Sequence, residues 1–335
     1  MPAKATRVSF GEALEELGEK IRDIVVLDAD LSKSTMSIKF AKKFPDRFFE
    51  MGIAEQNMIG TAAGLALAGK IPFACSFACF LIGRYETIRM SVAYTNANVK
   101  LVGTHAGIGI GEDGYSQMGL EDIALMRALP NFSVIQPCDD IETKQAVEYI
   151  ALHQGPVFLR LTRQPLEDVN PPDYKFQFGK GVILKDGKDV TIFATGGVVF
   201  NSLLAGEKLE KDGISARVVN IHTIKPIDEE LIIKCAVETG KIVTVEDHNI
   251  VGGLGSAVME VLAENYPVKV KRIGIKKFGE SGSPKELYEK YGCGAYLKSL
   301  VRTRIGEYKL EDALTIEELK KISSQGTDGG GEKHK

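Results

Sequence analysis

With 335 residues, 44% of them hydrophobic and 26% charged, the chain can bury an ordinary core, and at roughly 100–200 residues per domain it is expected to form two domains. A formal net charge of -3 leaves no basic surplus for nucleic acid or an anionic membrane, so small anionic substrates would have to be caught by a few local residues. The opening stretch MPAKATRVSFGEAL holds no apolar run between its basic and acidic residues, so neither a signal peptide nor a membrane span is expected there, and the chain reads as cytoplasmic.

Short apolar runs then alternate with stretches of helical spacing: IVVLDAD, a helix around 53–69, IPFACSF, a helix near 84–94, VKLVGTH, a helix near 119–128, FSVIQP, a helix near 140–153, and PVFLRL. That rhythm predicts an α/β domain over residues 1–165, a mostly parallel sheet flanked by helices. The proline- and glycine-bearing text that follows has no period and predicts a linker over 166–188. A second α/β block is expected over 189–318, with strands DVTIFAT, ARVVNIH, KIVTVED and VKRIGI and helices near 199–211, 228–238 and 254–264. The polar, glycine-rich end, 319–335, has no apolar face to bury and is expected to be disordered. Cys75, Cys79, Cys138, Cys235 and Cys293 are odd in number and lack C-x-x-C spacing, which predicts reduced thiols. The apolar setting of Cys75 and Cys79 favours buried small side chains over a metal pair.

Within HAGIGIGEDG, Gly109, Gly111 and Gly114 stand at G-x-G-x-x-G spacing after an expected strand. In a dinucleotide turn the third glycine lies in the first turn of a helix that begins at the pyrophosphate. Here Glu112, Asp113, Tyr115 and Ser116 interrupt the pattern, and apolar helical spacing resumes only near Leu120. Glycines can serve backbone turns alone, but His105, Glu112 and Asp113 gather at the carboxyl end of the strand, where open α/β sheets place ligands. Glu55, just ahead of GTAAGLALAG, is expected near the start of a buried helix, where free N–H groups and the dipole tolerate a carboxylate.

The runs MGIAEQ, SFACF, THAGIGIGEDG, IQPCDDIETKQAVEYI and R-x-x-R-Q at Arg160 to Gln164, followed by VEDHNIVGGLGSAV and FGESGSPKELYEKYG, resemble in order and spacing the second half of transketolases. The resemblance covers nearly the whole chain before the tail. It implies a pyrimidine-binding domain followed by a transketolase C-terminal domain, with thiamine diphosphate as cofactor and Glu55 and His105 as catalytic residues. By that likeness Glu55 shares a proton with N1′ of the aminopyrimidine, Phe77 and Phe80 line the ring's apolar slot, and Asp30 is a carboxylate near the cofactor. Arg7, Ser34, His105 and Arg163 fall where transketolases bind the substrate phosphate, a group that arginine grips in bidentate fashion, and Asp113 falls at a contact with a substrate hydroxyl.

Two positions depart from the family. Gly83 stands where a pocket tyrosine is usual, and Gln117, also expected against substrate, replaces a second histidine. His248 is expected to be structural or at a subunit contact. Thiamine-diphosphate enzymes hold the diphosphate through a divalent metal bound by a GDG motif and a later asparagine. This chain has no GDG. No metal ligand is expected on it, and a separate N-terminal transketolase subunit is expected to bring the motif with Mg²⁺ or Ca²⁺, two copies of each chain forming a heterotetramer. The implied reaction moves a two-carbon ketol unit between sugar phosphates of the pentose phosphate pathway. A 2-oxo-acid dehydrogenase β subunit, a deoxyxylulose-phosphate synthase relative and a non-catalytic regulatory homologue are the competing readings, and HAGIGIGEDG with the Arg7, Ser34 and Arg163 set favours sugar phosphates.

Overall fold

A computed structural model describes residues 3–294, so the expected tail and the end of the second block lie outside the described residues. The first block supplies strands β1 (Lys4–Ala5), β2 (Ile24–Asp28), β3 (Phe48–Glu50), β4 (Ile71–Phe77), β5 (Lys100–Thr104), β6 (Ser133–Ile135), β7 (Val157–Arg160) and β8 (Pro165–Leu166). After it come β9 (Val182–Lys185), β10 (Val190–Ala194), β11 (Ala216–Asn220), β12 (Thr223–Lys225), β13 (Ile242–Asn249) and β14 (Val270–Ile275). The larger sheet runs β12-β6-β7-β5-β4-β2-β3 and the smaller β14-β13-β10-β11-β9. Each is parallel except at one edge, where β12 pairs antiparallel with β6 and β9 antiparallel with β11. Helices cover both faces, which is why β2, β5 and β7 are buried at every residue, Asp28, Lys100 and Arg160 at their ends included.

Three local features escaped the pattern of apolar runs. The helix Thr6–Lys20 buries Phe10, Ala13, Leu14 and Leu17, an i, i+3, i+4, i+7 stripe, and carries Arg7 on its first turn. β9 falls inside the stretch expected to be linker, because a half-exposed four-residue edge strand has no apolar run to betray it. β12 leaves the second block to close the edge of the first sheet, so the two blocks share a strand. The stretch near 84–94 is helical, as expected, but wide: Tyr85–Thr87 runs into a π-helix, Ile88–Ala93.

The helix Glu55–Leu67 buries Glu55, Met58, Ile59, Ala62 and Ala63 against the sheet. Its other side is open, with nothing within reach of a Cβ placed at Gly60 or Gly64. Among the described residues no helix is long and apolar enough to cross a membrane.

Candidate active site

Most of the expected site residues lie on segments that leave the carboxyl ends of parallel strands in the larger sheet: Asp30 and Ser34 after β2, Phe80 after β4, His105 after β5 and Arg163 after β7. This is the edge at which an open parallel sheet leaves a crevice. Glu55 is the first residue of its helix, 6% exposed, and its Oε1 accepts a long 3.4 Å hydrogen bond from Ser76 Oγ on β4. It borders a concavity of about 760 Å³ shared with Ile53, Gln56, Thr61 and Arg84. Phe77 stacks on Phe80 with ring centroids 5.4 Å apart and planes 9° from parallel, and its ring also meets His105 at 3.8 Å. Since Phe77 and Thr104 are register partners on β4 and β5, the hydrogen bonds and register connect Glu55, Ser76, Thr104 and His105 across two adjacent strands.

His105 is 3% exposed and sits at φ 57°, a left-handed conformation uncommon for a non-glycine residue. Burial, with Arg7 and Arg163 nearby, holds its imidazole down to about 3, so it is neutral at physiological pH. Its Nδ1 is 2.9 Å from Thr104 Oγ1, which leaves Nε2 as the ring nitrogen for a ligand.

The two arginines converge although 156 positions separate them in sequence. Both line a second concavity, about 530 Å³, with Gly109, Glu112 and Gln164. Burial and then the charge of Arg163 lower the Arg7 pKa from its ordinary value, and Arg7 Nε is buried with no hydrogen-bond partner. Arg7 Nη1 donates to the Ser34 carbonyl at 2.5 Å, so Ser34 meets the arginine through its backbone. Arg163 donates to the Ile110 carbonyl and lies 3.5 Å from Glu112 and 4.0 Å from Asp113. Two like charges and an orphaned donor thus meet here, with the Glu112 and Asp113 carboxylates beside Arg163.

The remaining expected residues are more peripheral. Asp30, at φ 61°, is exposed, and its N–H donates to Glu50 Oε1 at 2.7 Å. Asp113 is exposed and Gln117 half-buried on the turn Tyr115–Gln117. Gly83 is exposed at φ -62°, and a Cβ there would meet only the Phe80 and Cys79 carbonyls, at 3.4 and 3.5 Å. A Cβ therefore stands in ordinary contact at this position.

Sequence reasoning missed Asp28. Fully buried at the end of β2, it accepts from Leu31 N–H at 2.7 Å, Thr35 Oγ at 2.7 Å and Ser37 Oγ at 2.8 Å, and so shapes the loop that presents Asp30 and Ser34. Burial pushes its carboxyl up to about 6 in spite of those bonds. Nothing in LDAD distinguishes the inward aspartate from the outward one, since strand alternation would put Asp28 and Asp30 on one face; β2 ends at Asp28 and the chain turns at Asp30, φ 61°.

His248 is buried between the two blocks, its Nδ1 donating to the Asn249 carbonyl at 2.6 Å and its Nε2 accepting from Ala124 N–H at 3.4 Å, a structural position. All five cysteines are free; Cys75 is buried and Cys79 half-buried, its thiol pushed up to about 12 by burial, which makes it unreactive. The helix required of a dinucleotide turn is absent here, since the residues after Gly114 form only a short turn and the next helix begins at Asp122.

Fold and site together define a two-domain α/β protein with a carboxylate and an aromatic stack at the crevice of its first sheet and a second sheet packed behind the adjoining glycine loop. Residues 3–168 match the family model of the transketolase pyrimidine binding domain, and residues 179–296 that of the transketolase C-terminal domain. The chain belongs to the transketolase family. It is 52% identical to a Methanocaldococcus jannaschii protein assigned as a transketolase C-terminal section, over 92% of this chain and 98% of that one. A 6-deoxy-6-sulfo-D-fructose transketolase subunit of Clostridium is 43% identical over 88% of this chain and 92% of its own. A solved split-gene transketolase, described as an inactive β4 tetramer, superposes with a TM-score of 0.83 at 48% identity, covering 91% of this chain and 99% of that one. The chain spans only 47% of the length of the mammalian transketolases that it matches.

Proposed function

We propose that this chain is the pyrimidine-holding subunit of a two-chain transketolase, moving a two-carbon ketol unit from a ketose phosphate to an aldose phosphate with thiamine diphosphate as cofactor. The observation that carries the reading is the buried Glu55 carboxyl, opening on a concavity and tied through Ser76 to the strand at whose end Phe77 stacks on Phe80. Those residues fit an aminopyrimidine: an apolar stack for the ring and one carboxyl, weakly hydrogen-bonded within the chain, for a ring nitrogen. When bound, thiamine diphosphate supplies the electron sink for breaking and making the carbon–carbon bond.

The chain's own residues then have separate tasks. Glu55 holds a proton at N1′, while Phe77 and Phe80 set the ring plane. Asp30 borders the cofactor. His105, being neutral, gives or accepts a hydrogen bond at a substrate hydroxyl without adding charge, and Asp113 and Gln117 serve other hydroxyls. Arg7 and Arg163, with Ser34 bracing the former, hold the terminal anion of the sugar.

The diphosphate and its Mg²⁺ or Ca²⁺ would be held by a separate N-terminal subunit, two copies of each chain forming the cytoplasmic enzyme. Support comes from the relatives, one described as a C-terminal section, one as a subunit and one as the product of a split gene, and from the half-length match to mammalian transketolases. A paired-arginine site suits a sulfonate as well as a phosphate, so sulfo-sugars belong beside the pentose phosphates in the test. Mixing the two purified subunits with thiamine diphosphate, Mg²⁺, xylulose 5-phosphate and ribose 5-phosphate should yield sedoheptulose 7-phosphate only when both are present. Product from this chain alone would contradict the split-subunit reading.

A further inference from the structure

The second domain contributes only Pro284 to the lining of the arginine concavity, yet the segment from His105 to Gly114 is seated on it. The seat starts at Gly107, φ +82°, where a Cβ would lie 2.1 Å from the Asp247 carboxylate, and the next N–H, that of Ile108, donates to Asp247 Oδ1 at 2.8 Å. Asp247 lies on β13, an inner strand of the smaller sheet, and is 1% exposed. Its other oxygen accepts from the Tyr288 hydroxyl at 2.5 Å, and that hydroxyl accepts from Gln164 Nε2 at 2.6 Å. Gln164 in turn fills the space a side chain at Gly109 would need and directly follows Arg163. Further along, Gly111 faces Pro284, and Ser281 Oγ donates to the Glu112 carbonyl.

This segment has positive φ at His105, Gly107, Gly111 and Gly114, so it has no regular ladder to satisfy its backbone or fix its path. Within the first domain the Gly119 carbonyl meets Gly107 N–H at 2.9 Å, and the hydrogen bond that reaches Ile108 from the second domain comes from one carboxylate. The same carboxylate, through Tyr288 and Gln164, fixes the strand end that carries Arg163. We propose that Asp247 and Tyr288 are positioning residues of the transketolase domain's partner sheet, holding His105 and Arg163 in register for the sugar, which gives the second domain a part in substrate binding. This rests on reading the His105 to Gly114 segment as the substrate loop.

The test uses the full chain, alone for hydrogen exchange and assembled with its partner subunit for kinetics, as Tyr288→Phe, Asp247→Asn and Asp247→Ala. Losing one buried hydrogen bond should speed amide exchange over residues 107–114 about tenfold, leaving β5 unchanged. In the complex, KM for xylulose 5-phosphate should rise by a similar factor, while the half-saturating concentration of thiamine diphosphate stays put. Asp247→Asn, which keeps an acceptor for Ile108, should recover most of the protection lost in Asp247→Ala. If Tyr288→Phe and Asp247→Ala fold with normal exchange over 107–114, the positioning role is overturned. Faster exchange with an unmoved KM would instead uphold the seat and overturn the assignment of this loop to substrate.

Discussion

Replacing Glu55 with glutamine should separate chemistry from folding. The carboxyl's hydrogen bond from Ser76 is 3.4 Å long, too long to supply the about 1 kcal/mol of a good intramolecular bond. Glutamine keeps the size and one acceptor, so stability should change by less than about 1 kcal/mol, at most roughly 2–4 °C in Tm for a protein of this kind. A positioned acid–base group contributes about 10²–10⁴ in rate, or about 2.7–5.5 kcal/mol at 1.36 kcal/mol per tenfold. The catalytic loss therefore exceeds the folding loss several times over. In the assembled complex of Glu55→Gln, kcat for ketol transfer should fall by that factor while calorimetric Tm and subunit association hold. Retention of more than about a tenth of the activity, below the range for such groups, would refute the reasoning.

Arg7→Ala and Arg163→Ala should each raise KM for a sugar phosphate roughly tenfold to a hundredfold, the worth of a charge-assisted hydrogen bond, with little change in thiamine diphosphate affinity measured by titration. The folded-state pKa of His105, about 3, lies below its ordinary 6.5; the stability tied to its neutral form is thus present above pH 6.5 and is lost as pH falls toward 3. Urea unfolding of His105→Gln should accordingly show a shallower decline over that window than the parent, and an identical slope would show that His105 is not the group responsible. Gly83→Ala places a methyl in ordinary contact at a helical φ, so it should stabilise by about 0.4–1 kcal/mol in chemical denaturation; a loss of stability would contradict the room seen there.

Much of the fold was legible because the signals are local. The alternation of apolar runs and helical spacing marks two parallel sheets, and strands buried on both faces, such as IVVLD in β2, announce themselves by composition. The helix Thr6–Lys20 carried a plain i, i+3, i+4, i+7 stripe that was there to be read, whereas β9 carried none. The roles of Glu55, Phe77 and His105 came from family likeness, and no spacing rule would have joined them.

The amino-acid order by itself determined the two sheets, the reduced cysteines and the family, since each depends on neighbours in sequence or on motifs kept in order. Only the tertiary structure decided which charges meet. Arg7 and Arg163 converge because a first-turn helix residue and a strand-end residue reach one crevice, a consequence of strand order rather than of chain order. The same holds for Asp28 turned inward beneath its loop, for β12 closing a sheet outside its own block, and for Asp247 beneath Ile108, 139 positions away: long-range packing selects one partner among many chemically equivalent ones, and a linear text cannot express that choice.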